Sequence, residues 1–388
     1  MKKILIWFTA VVCVFTGGII PCNEVCALEE PSVSAKGAVL ISADTGEVVY
    51  SFNHNEKLPM ASTTKIMTTL LCLESGDLYE EFTVDSEAIK VEGSSMGLQE
   101  GDIVTKYALC CGMMLPSGND SANAVAVKVA GSVEAFVELM NEKAQELGLS
   151  RTYFATPSGL DGKGHGSTAY EMALLAREAL KNDTFREICS SETIKLSYGN
   201  PPYDRWLTNT NKLLAMCDGV YGVKTGFTDD AGRCLVSACE REGERLICVT
   251  LNDKNDWNDH IALYDYGFEQ VESFKLELPQ SFEIDIVGAD TDRVTLTTAE
   301  EDFVSVTTLE NNKENYAFEV LSAPFVYAPV DKEEELAQLR VMYKGEEICT
   351  VPLYADESIQ RCEKVSPHSS ERKSIVKWIT EKLRKIFF

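Results

Sequence analysis

The chain has 388 residues, and 61 acidic against 36 basic side chains give it a formal net charge of −25. This length predicts two domains with appended segments rather than one compact core. With 45% hydrophobic and 25% charged residues, the composition excludes a disordered chain and a multi-spanning membrane protein. The negative charge argues against nucleic acid as the main partner, because binding phosphates requires a basic surface.

The N-terminus has the pattern of a secretory signal peptide. A basic start precedes the apolar run Ile4–Phe15, and a small-residue stretch ends at Ala27. A membrane-spanning helix needs about 20 apolar residues, so this run is too short for an anchor. We therefore predict export, with residues 1–27 removed as a signal peptide. A lipoprotein signal with Cys22 as acceptor is the alternative, which Pro21 directly before it disfavours.

Helix-periodic and alternating segments follow in chain order. Two hairpins are predicted, Gly37–Ser42 with Glu47–Ser51 and Gly232–Cys239 with Arg245–Leu251. A further hairpin-like segment includes Phe82–Val84. Helices are predicted over Ser62–Leu73, Tyr107–Leu115, Ser121–Ala130, Glu134–Leu147, Ala169–Lys181 and Trp257–Phe268. We assign residues 28–275 to one domain.

The pattern changes near Leu276, where short alternating segments replace the helices. A hairpin is predicted around Lys344-Gly345, and the only stretch with helical character is Glu333–Leu339. These short alternating segments predict a small all-β domain over residues 276–358, like those of sandwiches and barrels. This domain contains no candidate chemistry.

The C-terminal residues 372–388 are predicted to form an amphipathic helix after a polar linker, residues 359–371. Aromatic and aliphatic side chains share one side of this helix, and basic side chains cover most of the other. Residues 371–388 carry a net charge of +4 and residues 1–27 carry +1, which leaves −30 on residues 28–370. A basic amphipathic helix binds in the plane of an anionic membrane. Packing on its own domain is the alternative for this helix.

Metal and disulfide chemistry have little support in the sequence. The four histidines are scattered, with neither an HExxH motif nor a His/Cys cluster. Ten of the 13 cysteines lie beyond the signal segment, and none of them forms a CxxC pair. Several lie in apolar runs, where cysteine is a small core residue. We predict no metal site and no cofactor.

Ser62-Thr-Thr-Lys65 is the first of three short motifs with catalytic potential. Residues three apart share a helix face, so the Ser62 hydroxyl and the Lys65 amine can meet. Serine needs a nearby base to become a nucleophile, and a desolvated lysine with a lowered pKa supplies one. The helix N-terminus adds partial positive charge where an oxyanion would form. The pattern recurs at Ser370–Lys373 and Ser374–Lys377, so alone it carries no weight.

Ser117-Gly-Asn119 is the second motif. A loop before a helix can aim the Ser117 hydroxyl and the Asn119 amide into a cleft, one as a proton relay and the other as a contact to a substrate amide. A plain turn and helix cap is the alternative. A second copy, Ser121-Ala-Asn123, lies within the next helix, and we treat it as a decoy.

Lys224-Thr225-Gly226 is the third motif, and Phe227 follows it. A strand-borne lysine and threonine supply a cation and a hydroxyl for a substrate carboxylate, and Gly226 allows close approach of the backbone. An exposed turn is the usual meaning of this triplet. The weight lies in the three motifs together, in this order and in these local settings.

At these residues the chain resembles the penicillin-recognising serine enzymes, whose signature is S-x-x-K, S-x-N and K-T-G. The closer resemblance is to the low-molecular-weight penicillin-binding proteins, which are D-alanyl-D-alanine carboxypeptidases. It is carried by the stretches Pro59–Met67, Leu115–Asp120, Thr156–Leu160 and Gly222–Thr228. The resemblance implies an α+β fold: a β-lactamase/DD-peptidase-like catalytic domain, with an antiparallel sheet flanked by helices and a helical subdomain, followed by the all-β domain. The signal, acidic β domain and terminal anchor match the same layout.

The resemblance also implies an acyl-transfer mechanism. Ser62 attacks the carbonyl between two D-alanines with Lys65 as general base, and backbone N–H groups of Ser62 and Phe227 form the oxyanion hole. Three further contacts are implied, with Ser117 relaying protons, Asn119 orienting the peptide, and Lys224 with Thr225 holding the terminal carboxylate. The expected substrates are peptidoglycan stem peptides, and β-lactam antibiotics would acylate Ser62 as inhibitors. The expected location is the outer face of the cytoplasmic membrane.

Two rival functions remain at this point. A class A β-lactamase shares the three motifs but needs a carboxylate to activate water; Glu171 comes close, although Leu175 stands where that pattern has Asn. A non-catalytic wall-binding protein is the second rival. Many carboxypeptidases carry an Arg shortly before a Leu pair, where this chain has Asn209–Leu214. Arg205 or Arg233 is a candidate replacement for the carboxylate contact expected of that Arg. His165 is expected to be structural rather than part of the cleft.

Overall fold

The computed structural model describes residues 29–298 and 302–362. The predicted signal segment 1–27 and the predicted anchor 372–388 therefore lie outside the described residues. Within the described ranges, no helix has both the length and the apolar character needed to cross a membrane.

The elements are numbered in chain order. The helices are α1 Lys65–Glu74, α2 Lys106–Met114, α3 Asn119–Ala130, α4 Val133–Glu146, α5 Ala169–Ala179, α6 Asp183–Ser190, α7 Leu213–Met216 and α8 Asp256–Gly267. The strands before residue 255 are β1 Gly37–Ser42, β2 Val48–Phe52, β3 Glu81–Thr83, β4 Ile103–Thr105, β5 Thr193–Gly199, β6 Pro202–Thr208, β7 Val220–Thr228, β8 Gly232–Arg241 and β9 Glu244–Leu251. The later strands are β10 Glu272–Glu277, β11 Phe282–Val287, β12 Arg293–Thr298, β13 Phe303–Thr308, β14 Tyr316–Ser322, β15 Val326–Tyr327, β16 Glu335–Tyr343 and β17 Glu346–Ala355.

A five-stranded antiparallel sheet, in the order β2-β1-β9-β8-β7, is the centre of the first part of the chain. Successive side chains of a strand point to opposite faces of the sheet, and in these strands both sets are apolar. Val39 and Ile41 face the core shared with helices α1 to α6, whereas Ala38 and Leu40 face the core that includes Leu263 of α8. The sheet is thus buried between helices on both sides, and both predicted hairpins are confirmed.

The helical part surrounds the first core. Helix α4 begins at the cap Ser132, whose Oγ accepts a hydrogen bond from Ala135 N. Phe136, Met140 and Ala144 recur every fourth residue and are buried on one face of α4. Strands β3 and β4 form a short two-stranded antiparallel sheet. The segment at Phe82, predicted to be hairpin-like, therefore pairs with a strand about 20 residues later rather than across a tight turn.

The C-terminal part is all β in the described residues, apart from one short 3-10 turn at Lys313–Asn315. A six-stranded sheet has the order β14-β16-β17-β12-β11-β15, and β10 pairs with β13 beside it. Leu296, Leu339 and Leu353 are fully buried in its core. These strands confirm the α+β fold class with a following β domain. The domain boundary expected at residue 275 falls inside β10.

The helical character predicted for Glu333–Leu339 is wrong. Residues 335–339 belong to β16, which pairs with β14 on one side and with β17 on the other. Glu, Leu, Ala and Gln are good helix formers, but intrinsic propensity is small and tertiary context overrides it. Here Ala337, Leu339 and Val341 alternate into the core with a period of two, and that burial selects the strand.

Hydrogen bonds join the β part to the edge of the central sheet. Ser42 Oγ donates to Thr307 O at 2.6 Å, and Thr307 N donates to Asp44 Oδ2 at 2.7 Å. Glu47 accepts a bond from Tyr343 Oη at 2.6 Å. The contacts are at the turn between β1 and β2, away from β7 at the opposite edge, so they leave the β7 edge free.

Candidate active site

Ser62 lies in a 3-10 turn, Ala61–Thr64, directly before α1. The helix was expected to begin at Ser62, and it begins three residues later, at Lys65. Ala61 has a left-handed φ of 48°, which is a strained conformation for a residue with a side chain. Gly159 packs against this turn, where a β-carbon would lie 2.0 Å from Ala61 O. The turn still places Lys65 Nζ 3.0 Å from Ser62 Oγ.

The Lys65 amine is completely buried and has three hydrogen-bond partners. They are Ser62 Oγ at 3.0 Å, Asn119 Oδ1 at 2.7 Å and Ser158 O at 2.6 Å. Burial holds the pKa of Lys65 well below its ordinary value, and the nearby charge of Lys224 lowers it further. A lowered pKa favours the neutral amine, which is the form that can take a proton from the Ser62 hydroxyl.

The second motif comes to the same place from the start of α3. Ser117 is buried and has a left-handed φ of 65°, which projects the residue ahead of the helix. Asn119 bonds to Lys65 through Oδ1, and its Nδ2 donates to Glu92 O at 2.7 Å. Both polar atoms of the Asn119 side chain are therefore already bonded within the protein, and its amide positions the lysine.

The decoy copy of this motif lies away from the site. Ser121 is fully buried within α3, where its backbone N and Oγ both contact Asp120 Oδ1. Asn123 Nδ2 donates to Ala88 O at 3.1 Å. These contacts are internal to the helical part, which agrees with the decoy interpretation.

The third motif lies on β7, the edge strand that faces the Ser62 turn. Lys224 is buried, its Nζ donates to Thr225 O at 2.8 Å, and burial lowers its pKa to about 7. Gly226 approaches the turn so closely that a β-carbon there would lie 3.0 Å from Ser62 N. Phe227, in contrast, is 63% exposed. The glycine is required for strand and turn to meet.

A cleft of about 520 Å³ opens beside these elements. Five of the predicted site residues line it: Ser62, Ser117, Thr225, Gly226 and Phe227. It is also lined by Ser94, Asn209, Thr210, Lys212, Arg233, Asp256 and Trp257. Asn119, Lys65 and Lys224 lie behind this lining rather than on it. Within the part of the chain that the structure describes, no group of three or more His, Cys, Asp or Glu residues could hold a metal ion.

Comparison with known proteins assigns the chain to a family. The sequence profile of the D-alanyl-D-alanine carboxypeptidases, peptidase family S11, matches residues 24–255. The chain belongs to the D-alanyl-D-alanine carboxypeptidase family. A second profile, that of the C-terminal domain of penicillin-binding protein 5, matches residues 280–361. As a member of this family, the chain is a serine hydrolase.

Relatives of known function resemble the chain over most of its length. It is 34% identical over 338 residues to D-alanyl-D-alanine carboxypeptidase DacF of Bacillus subtilis, covering 84% of this chain and 86% of that protein. It is 33% identical over 356 residues to D-alanyl-D-alanine carboxypeptidase DacC of Escherichia coli, covering 86% of each. The crystal structure of penicillin-binding protein 5 from Haemophilus influenzae matches with a TM-score of 0.60 at 26% identity, covering 86% of this chain and 100% of that one.

The two candidate replacements for the family arginine lie in different places in this carboxypeptidase. Arg205 lies 4.1 Å from each of the Tyr198 and Tyr203 rings, and its Nη1 donates to Gly97 O at 2.7 Å. Arg205 does not line the cleft, whereas Arg233 does.

His165 and Glu171 are both engaged in structural contacts. Ala155 N donates to His165 Nδ1 at 3.0 Å, and burial lowers the pKa of His165 to about 4, which keeps the ring neutral. Glu171 accepts bonds from Arg151 N and from Thr152 Oγ1. Neither side chain lines the cleft, so Glu171 is not placed to activate water there.

Ser94, Asp256 and Trp257 line the cleft but were not assigned to it from the sequence. Ser94 and Asn209 belong to loops, and Asp256 and Trp257 begin α8. No local pattern marks these positions, because residues distant in the chain meet at the cleft only in the folded structure.

Proposed function

We propose that this chain removes the terminal D-alanine from peptidoglycan stem peptides through an acyl-enzyme on Ser62. The observation that carries this proposal is the contact of 3.0 Å between the Oγ atom of Ser62, which lines the cleft, and the buried Lys65 amine behind it. A serine hydroxyl beside a lysine of lowered pKa is an activated nucleophile. Family membership supplies the reaction class, and this contact supports the assignment of the nucleophile and its base.

In the acylation step, Ser62 Oγ attacks the carbonyl carbon between the two D-alanines and its proton passes to the neutral Lys65 amine. The carbonyl oxygen becomes an oxyanion, for which the backbone N–H groups of Ser62 and Phe227 are the proposed donors. The close approach of Gly226 to Ser62 N supports this pairing of β7 with the turn. The arrangement resembles other oxyanion holes in having donors on two separate segments.

The tetrahedral intermediate then expels the amino group of the terminal D-alanine. That nitrogen must gain a proton as it leaves, and Lys65 returns one through the Ser117 hydroxyl, which lines the cleft. Water next attacks the ester carbonyl and gives its proton to Lys65. The second tetrahedral intermediate then breaks its bond to Ser62 Oγ, which takes that proton back from Lys65, 3.0 Å away. This step releases the shortened stem peptide and restores the Ser62 hydroxyl and the neutral amine. The same serine is acylated by β-lactam antibiotics, which act as inhibitors.

Substrate binding is assigned to Asn119, Lys224, Thr225, Gly226 and Phe227. Thr225 Oγ1 and Thr210 Oγ1 share a hydrogen bond of 2.7 Å at the cleft, which offers hydroxyl contacts for a carboxylate. Lys224 contributes a positive charge from below this pair when it is protonated. The Asn119 amide holds the Lys65 amine, and its role toward the peptide remains part of the proposal.

We further propose the domain layout and location of the enzyme. Residues 1–27 are a signal peptide, 28–275 the catalytic domain, 276–358 the β domain and 359–371 a linker. Residues 372–388 then attach the exported protein peripherally to the outer face of the membrane. The net charge of +4 on residues 371–388 against −30 on the body supports this orientation, because only the tail is attracted to anionic lipids.

The experiment that tests the function separates three outcomes. The mature protein is incubated with benzylpenicillin, and the mass of the peptide that contains Ser62 is measured by mass spectrometry. The release of D-alanine from a pentapeptide mimic is assayed in parallel. Labelling together with D-alanine release supports the proposal. Rapid penicillin turnover without D-alanine release indicates the β-lactamase. The absence of both labelling and D-alanine release indicates the non-catalytic wall-binding protein. The Ser62→Ala variant is the control, and D-alanine release by this variant would refute Ser62 as the nucleophile.

A further inference from the structure

We propose that Cys217 and Cys239 form a dithiol site that reacts with disulfide oxidants and closes to a disulfide bond. The inference goes beyond the proposed function, because neither residue lines the cleft. Both are free cysteines that belong to the core shared with Leu263 of α8. They are far apart in the sequence and meet only in the fold.

The fold brings the two sulfurs together from different elements. Cys217 directly follows α7, and Cys239 lies on β8 opposite Val220 of β7. Val220 N donates to Cys217 O at 3.3 Å, so the tight turn between α7 and β7 folds Cys217 back over β8. The Cys239 thiol then donates to the Cys217 sulfur. Both sulfurs also lie beside Asp218 O, Cys239 Sγ at 3.5 Å and Cys217 Sγ at 3.9 Å. Sulfurs in such contact need only a small movement to bond.

Arg241 makes Cys217 the nucleophile of the pair. Its Nη2 donates to Cys217 Sγ at 3.3 Å. Asp265 Oδ1 and Asp218 O hold the same guanidinium, at 2.8 Å from Nη1 and 3.3 Å from Nε. The Cys239 thiol lowers the pKa of Cys217 most and Arg241 lowers it further, whereas burial and the charge of Asp265 oppose them. A thiolate beside a cation is the reactive form of cysteine.

Thiol–disulfide exchange at this pair takes two steps. In the first, the Cys217 thiolate attacks one sulfur of a small disulfide R–S–S–R. A bond forms to Cys217 Sγ, the R–S–S–R bond breaks, and one R–S⁻ leaves and takes a proton from solvent. The thiolate that raised the pKa of Cys239 is then gone, so Cys239 can lose its proton to solvent.

In the second step Cys239 Sγ attacks Cys217 Sγ. The protein disulfide forms, the bond between Cys217 Sγ and the oxidant breaks, and the second R–S⁻ leaves and is protonated. The two cysteines have lost two electrons and two protons in total. The oxidant has gained them and is released as two thiols.

A second pair of cysteines, on α1 and α2, lacks these features. The sulfurs of Cys72 and Cys110 are also in contact, but both residues are fully buried. The contact with Cys72 and burial hold the pKa of Cys110 well above its ordinary value. Cys217, in contrast, lies between the exposed residues Met216 and Asp218. The pair on α1 and α2 is therefore an internal control that an oxidant should leave reduced.

The test exposes the fully reduced mature protein to oxidised glutathione at about pH 7. Remaining thiols are blocked with N-ethylmaleimide, the protein is digested, and linked peptides are identified by mass spectrometry. We expect one linked pair, lighter by two hydrogens, that joins Cys217 to Cys239, and no link between Cys72 and Cys110. Exposed Cys362 should carry a glutathione adduct, which shows that the oxidant was active. That adduct without the link between Cys217 and Cys239 would overturn the inference.

Variants separate the two steps of the exchange. Cys239→Ser should stop at a glutathione adduct on Cys217, and Cys217→Ser should leave Cys239 unmodified. Cys349→Ser, which removes a cysteine of β17, is the matched control and must still form the link. A glutathione adduct on Cys239 in Cys217→Ser, with Cys217 unmodified in Cys239→Ser, would refute the assigned nucleophile.

The role of Arg241 is tested by the pH profile of iodoacetamide labelling at the Cys217 peptide. An ordinary cysteine is only about 3% ionised at pH 7. Cys217 should therefore label, at that pH, at a fraction of its high-pH limit severalfold above this value. Arg241→Gln should move the acid limb to higher pH, which a purely structural role of Arg241 would not do. A wild-type profile with the limb of an ordinary cysteine, or an unmoved limb in Arg241→Gln, would contradict the inference.

Discussion

Lys65 Nζ lies 3.0 Å from Ser62 Oγ, on the residue three positions earlier in the chain. The two residues are close in the chain, but the pKa of Lys65 depends on residues that are distant in the chain. The pKa of the amine is lowered because the surrounding fold buries it and places it near the charge of Lys224. The reactivity of the serine therefore depends on packing as much as on the motif.

Replacing Lys65 by methionine is expected to abolish acylation while preserving the buried volume. General-base catalysis contributes about 10²- to 10⁴-fold, so the rate of penicillin labelling of Ser62 should fall by about that factor. The measurement is the time course of the mass increment on intact protein. Lys90→Met, which removes an exposed lysine paired with Glu87, is the control and should label at the wild-type rate. Normal labelling of Lys65→Met would contradict the assignment of the base.

The pH dependence of acylation should have an acid limb set by Lys65. The amine must be unprotonated to accept the Ser62 proton, so kcat/KM rises with pH through the lowered pKa of Lys65. Lys224 lowers that pKa through its charge, so Lys224→Met should raise it and move the acid limb to higher pH. The rate of penicillin labelling is measured for both proteins across a pH series. The position of the acid limb on the pH axis reports the pKa of Lys65, whereas a loss of affinity in Lys224→Met lowers the rate at every pH. An unmoved limb would show that the two lysines do not interact.

Glu171→Gln distinguishes this enzyme from a class A β-lactamase. The Glu171 carboxylate bonds to Arg151 N and Thr152 Oγ1 and lies outside the cleft lining. The variant should be less stable by about 1 kcal/mol, since a neutral amide replaces a hydrogen-bonded carboxylate. The lifetime of the penicilloyl-enzyme should be unchanged when followed by mass spectrometry. A lifetime prolonged severalfold would assign Glu171 to deacylation.

Stability should fall on mild acidification because of buried His260. Its ring contacts Ser237 Oγ at 2.6 Å and Thr250 Oγ1 at 3.0 Å, and burial lowers its pKa to about 3. Between that value and about 6.5 the unfolded chain binds the proton and the folded chain does not, so stability rises with pH in this window. From pH 6.5 to pH 5 this histidine should cost about 2 kcal/mol.

Urea unfolding at both pH values measures this loss, with His260→Gln as the matched variant. The variant should have lower stability at neutral pH and a dependence on pH that is weaker by about 2 kcal/mol over the same interval. An unchanged pH dependence in His260→Gln would mean that other groups cause the acid sensitivity.

Strongly periodic segments were predicted well from the sequence. Helix α4 follows its apolar spacing and its cap at Ser132, and β8 and β9 form the hairpin predicted for them. Helix α6 and the β5–β6 hairpin were not predicted from the sequence. Their segments are short and polar on one side, and they are stabilised by packing against neighbouring elements. The helical prediction for Glu333–Leu339 was wrong because the pairing of β16 with two neighbours outweighs helix propensity.

The sequence by itself determined the family, the order of the motifs and the Ser62–Lys65 pair, because these depend on residues close together in the chain. Only the tertiary structure decided what surrounds the pair. Asn119 and Ser158, 54 and 93 residues beyond Lys65, complete the shell of its amine. Arg233 likewise meets Asp256 only when β8 packs against α8. Burial, and the pKa values that it lowers, arises from contacts between distant residues, and no local pattern records them.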